Sequence, residues 1–173
     1  MIHILPIGII PDYILPPLID HLSNVFGLDI VVEKAINIPE GAYSKFRNQY
    51  SGELILESVP RRGIFTLGLI DKDLYASGLN FIFGIADPVT GKAIVALKRL
   101  QPEFWGGRPD KELFISRVKK EAVHELGHLL GLGHCNDPKC VMYFSNTIMD
   151  TDNKSDRFCR KCRAKVQERL KYL

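Results

Sequence analysis

No apolar run in this chain approaches the roughly 20 residues that a membrane-crossing helix needs, so no membrane span is expected. The first residues, MIHILPIGIIPDYILPP, are apolar but have no basic leader and no small-residue cleavage site. Prolines at 6, 11, 16 and 17 interrupt them, so they do not read as a signal peptide. Cysteine is absent before residue 135, which leaves no upstream segment with a free thiol to mask a metal. There is no internal repeat and no low-complexity tract. Charge of one sign is also scarce: 23 Lys and Arg against 20 Asp and Glu give a net charge of +3, too little to argue for nucleic acid. The expectation is a cytoplasmic, monomeric domain that engages neither membrane nor nucleic acid.

What is present is ordinary globular composition, 46% hydrophobic and 25% charged over 173 residues. That length suits one domain with a real core. The spacing predicts a buried strand over 2–10, a helix over 12–26 stopped by Gly27, and a second strand over 28–36. The polar stretch 37–50 reads as loop, 52–59 as helix or strand, and 64–71 as a third strand. The apolar runs 79–86 and 92–100 flank DPVTG and read as an antiparallel hairpin. Residues 101–110 look loop-like. A long helix then spans about 110–131, with Asp110 as N-cap and an apolar stripe from Leu113 and Phe114 to Leu129 and Leu130. The remainder is polar and irregular until a short basic helix at about 160–172.

The chemistry concentrates in His124-Glu125-Leu126-Gly127-His128, followed by Gly131 and His134. Histidines four apart on a helix lie on one face, about 40° and about 6 Å apart, and both can reach one zinc. Glu125, beside the first of them, can take a proton from a zinc-activated water. Continuing the helix would point residue 134 away. Gly131 is expected to end it in a left-handed turn, and Gly133 to add the freedom that returns His134 to the metal. Three neutral ligands leave the fourth position open, as at a catalytic zinc. His3 and His21 stand alone and read as structural or surface residues.

Cys135 and Cys140 form one close pair, Cys159 and Cys162 another. Two such pairs suit a second, tetrahedral zinc that staples a stretch too polar to build its own core. Disulfides would need an oxidising compartment, for which no signal speaks. A redox dithiol at CRKC would be expected to open a helix after a strand. A rival reading of the C-terminal part is a zinc-stabilised nucleic-acid or partner-binding module, since Lys154, Arg157, Arg160, Lys161, Arg163, Lys165, Arg169 and Lys171 cluster there. Such a module has no need of Glu125 or of an open histidine site. A further reading keeps both metals and restricts the enzyme to a narrow peptide or amide substrate.

The run HExxHxxGxxH, then Cys135, Cys140, Val141 and Met142, then a spacer and Cys159 and Cys162, resembles the archaemetzincins, a branch of the metzincin zinc-peptidase clan. The resemblance implies an α+β (mixed α/β), metzincin-like fold. It would be one domain over 1–173, with an N-terminal part to about 131 that includes the active-site helix and a zinc-stapled C-terminal part from 132. It implies Met142 as the methionine turn beneath the zinc, with Met149 as competitor, and two zinc ions per chain. No Tyr stands two positions after Met142, so the tyrosine ligand of some metzincins has no counterpart. Zinc-dependent peptide hydrolysis is the expected function, with the substrate extended along one strand of the 79–100 hairpin.

Overall fold

The computed structural model describes residues 1–173. Its strands are β1 Ile2–Ile7, β2 Ile30–Val32, β3 Tyr43–Ser44, β4 Gln49–Ser51, β5 Phe65–Ile70, β6 Leu74–Tyr75, β7 Gly84–Asp87 and β8 Lys92–Ala96. Its helices are α1 Leu15–Phe26, α2 Gly52–Ser58, α3 Lys111–Leu129, α4 Ile148–Asn153 and α5 Arg160–Leu170. The main sheet runs β2-β1-β5-β8-β7, parallel except for β7, which pairs antiparallel with β8 and has no partner on its other side. A small second sheet holds β3, β4 and β6.

Alternation along the strands explains why helices cover both faces of the main sheet. Ile2, Ile4, Leu67, Leu69, Ala93 and Val95 point into a core shared with α1, α3 and α5. Leu5, Ile7, Ile70, Ile94 and Ala96 point the other way, onto Ile55 and Leu56 of α2. The first core continues without a break into Cys140, Val141, Met142, Cys162 and Val166. The expected mixed α/β architecture is therefore observed.

Local chemistry places the helix ends. Prolines occupy the first turn of α1, where a missing N–H costs nothing, and Gly27 closes it at φ 65. Asp110 caps α3 by accepting from the Leu113 N–H at 3.0 Å. Ser51 caps α2 in the same way, which makes 52–58 a helix rather than a strand.

Several boundaries move from the sequence reading. The first strand stops at Ile7, because Gly8 turns left-handed at φ 71. The second shrinks to Ile30–Val32, and the loop 37–50 contains β3 and the start of β4. The hairpin is there, but its arms are Gly84–Asp87 and Lys92–Ala96. Residues 79–82 peel away because Ile82 N–H bonds Leu74 instead, while Arg47 and Gln49 donate to the carbonyls of Leu79 and Asn80; Phe83 still accepts from Ala96 N–H at 2.8 Å. After Ala96 the chain bends as Leu97 N–H bonds Ile70, and 98–100 forms a 3₁₀ turn. Helix α4 was not anticipated, although Thr147 and Asp150 form a capping box visible as Thr-x-x-Asp.

Candidate metal centres and active-site cleft

Helix α3 packs under β7 and β8 and carries His124, Glu125 and His128. At its end Gly131 adopts φ 83, Gly131 N–H bonds His128 and Leu132 N–H reaches back to the Gly127 carbonyl at 3.0 Å. This is a Schellman closure, and it reverses the chain as the glycine spacing required. Gly133 is not in the left-handed region, so the reversal belongs to Gly131 alone.

The imidazoles are oriented from behind by backbone carbonyls. His124 Nδ1 bonds the Val141 carbonyl and His128 Nδ1 the Leu132 carbonyl, each at 2.8 Å. Each Nδ1 is thus the donor, leaving Nε2 as a free lone pair. The two Nε2 atoms lie 3.1 Å apart, close to the roughly 3.4 Å edge of a tetrahedron with 2.1 Å metal–nitrogen bonds. His134 completes the group, with one ligand atom of each residue within 4.8 Å of the others. Burial lowers the pKa of all three, that of His124 furthest, so the neutral, ligating form prevails.

Glu125 is buried among them at 5% exposure. No protein donor reaches its carboxylate, and neither oxygen is sealed from the cleft. Burial pushes its pKa well up, Glu121 adds to this and Lys154 opposes it. Gly84 of β7 lies directly over this carboxylate; a Cβ there would meet Glu125 Cδ at 2.7 Å. The cleft measures about 670 Å³ and runs between residues 79–84 above and α3, 131–134 and 144–146 below. Met142 is fully buried against Gly127, whereas its competitor Met149 is 73% exposed. Phe144, two positions after Met142, lays its ring on His134 at 4.9 Å between centroids.

The four sulfurs also converge within 4.8 Å. Cys135 and Cys159 Sγ are 3.9 Å apart, far from the roughly 2.05 Å of a disulfide and near the roughly 3.8 Å edge of a tetrahedral zinc–thiolate site. Backbone N–H groups of Cys159 and Cys162 point at Cys140 Sγ and Cys159 Sγ; the pKa of the Cys159 thiol is lowered, whereas burial raises those of the Cys140 and Cys162 thiols. The two centres share a backbone: Val141 accepts from His124, while the Met142 carbonyl accepts from Cys135 N–H at 3.0 Å.

One group escaped the sequence reading. Lys154, counted there in the basic cluster, is fully buried and pairs with Glu121 at 3.2 Å. Thr151 and Ser145 hydroxyls add hydrogen bonds to the same carboxylate, and Lys154 donates to the Tyr143 carbonyl. A lysine can be buried where a carboxylate and a carbonyl replace its water. Glu121 four before Glu125 hinted at a buried acid, but nothing local named its partner. The other basic residues of that cluster, from Arg157 to Lys171, are exposed. His3 pairs with Glu33, and His21 bonds the Asp156 carbonyl at 3.2 Å, so both are structural.

A mixed sheet whose antiparallel edge strand overlies a helix carrying HELGH, with a third imidazole returned by a glycine turn, is the build of a zinc metallopeptidase. The family model of peptidase family M54 matches residues 13–168, and the chain belongs to that family. It is 45% identical to the archaemetzincin of Pyrococcus furiosus, an alignment that covers 98% of this chain and 94% of that one. The archaemetzincin of Methanocaldococcus jannaschii is 44% identical over 97% of this chain and 93% of its own. Among solved structures, the archaemetzincin of Methanopyrus kandleri superposes with a TM-score of 0.87 at 41% identity, over 99% of this chain and 96% of that one. A zinc-dependent peptidase from Methanocorpusculum labreanum gives 0.87 at 30% identity, over 96% and 100%.

Proposed function

We propose that this chain hydrolyses peptide bonds with Glu125 as general base, at a zinc held by His124, His128 and His134. A second zinc would be held by Cys135, Cys140, Cys159 and Cys162 in a structural role. The observation that carries the reading is the pairing of converging, backbone-oriented Nε2 atoms with a donor-free carboxylate open to the same cleft. Zinc at such a site polarises the substrate carbonyl and acidifies water.

The chain's own residues do the rest. The free edge of β7 offers backbone N–H and C=O groups to an extended peptide, which sets the scissile bond over α3. Glu125 accepts a proton from the attacking water and passes it to the leaving amine. Gly84 leaves room for this carboxylate under the substrate strand. Met142 and Phe144 give the imidazoles an apolar floor and flank, which limits their movement.

The test compares zinc-loaded protein with Glu125→Gln on a mixed peptide library, with new termini read by mass spectrometry. Zinc content should be unchanged and turnover should fall by at least about a hundredfold. Turnover retained in the variant would remove Glu125 from its role.

A further inference from the structure

Resting on the peptidase reading above, a second carboxylate in the cleft calls for a ligand of its own. Glu121 is 3% exposed, lines the cleft and lies one helical turn, about 5–6 Å, before Glu125. Its two oxygens are used unequally. Oε1 takes the Thr151 hydroxyl at 3.0 Å, the Ser145 hydroxyl at 3.5 Å and the Lys154 ammonium at 3.2 Å. Oε2 has no protein donor, yet no buried side-chain oxygen of the chain is left sealed without one. Oε2 therefore opens onto the cleft.

A buried carboxylate accepts hydrogen bonds and cannot donate them while ionised. Lys154 pairs with it from the Oε1 side and is itself absent from the cleft wall, which contains no lysine or arginine. No protein group donates to Oε2, which leaves it free to accept from a bound ligand. We propose that Glu121 is a specificity-determining residue: Oε2 takes an N–H donor from a substrate side chain next to the scissile bond. The cleft then favours lysine, arginine, glutamine or asparagine there and rejects carboxylates, whose oxygens would face Oε2 with no proton between them.

Four dipeptide hydroxamates, differing only in a glutamine, glutamate, lysine or norleucine side chain next to the metal-binding group, test this by calorimetry on zinc-loaded protein. Glutamine should bind about tenfold tighter than glutamate, and lysine about tenfold tighter than norleucine. In Glu121→Gln both ratios should fall to within about twofold while the norleucine compound keeps its affinity. If the unmodified protein binds all four alike or prefers glutamate, or if the variant weakens all four equally, Oε2 recognises nothing and Glu121 merely anchors Lys154. Should the variant fail to fold, the two ratios on the unmodified protein decide alone. Peptide turnover, measured alongside, separates the two readings. Selective binding without turnover sinks hydrolysis and keeps the donor site, and turnover without selectivity does the reverse.

Discussion

The histidine centre and the cysteine centre sit back to back on residues 140–142, yet they are built on opposite principles. The histidines come from one helix and its cap, and backbone carbonyls already orient two of them from behind. They face a cleft and leave room for a fourth ligand. The cysteines come from two segments, and core packing, the Cys135–Met142 backbone bond and N–H···S contacts bring their sulfurs together. Cys140 and Cys162 are buried in the main core, and none of the four cysteines lines the main cleft. One group is oriented by backbone carbonyls around an open cleft, while the proposed second zinc would tie together two chain segments that meet in the main core.

The widest separation between the two should appear in stability. Cys162→Ser removes a buried thiol proposed to bind the second zinc and should cost about 3 kcal/mol or more, lowering the melting temperature by roughly 10 °C. His128→Ala should abolish turnover and shift melting by only a few degrees. Thermal unfolding with parallel metal analysis reads both, and equal losses would erase the distinction. A smaller effect tests the shared wall. A Cβ at Gly127 would run into Met142, so Gly127→Ala should cost about 1–3 kcal/mol of stability while zinc remains bound. An unchanged denaturation midpoint would show that Met142 moves freely.

The smallest effect lies outside both centres. Burial lowers the pKa of His21 from its ordinary 6.5, against the pull of Asp156. The unfolded chain then binds more protons than the folded one near that value, so this contribution is present above pH 6.5 and shrinks as pH falls below it. Denaturation midpoints between pH 7.5 and 5 should slope less in His21→Gln than in the unmodified protein. Identical slopes would exclude His21.

Much of the candidate site was legible because its rules are local. Two histidines four apart share a helix face wherever that helix packs, and Gly131 reverses the chain because its neighbours' hydrogen bonds demand a positive φ. The cysteine pairs were readable for the same reason, since ligand spacing within a short loop limits where sulfurs can go. The fold was less so. Residues 79–82 have the composition of a strand, yet competition from Leu74 and the Arg47 guanidinium drew them out of the main sheet.

The sequence by itself determined the helix face, its glycine stop and the sulfur pairs, because each follows from spacing along a few turns of chain. Only the tertiary structure decided which methionine lies under Gly127 and which strand edge overlies Glu125. It alone also decided that Lys154 leaves the basic surface to pair with Glu121. Those choices join residues that are distant in sequence, and they are made by burial: a group removed from water takes whatever partner the packed core brings within reach.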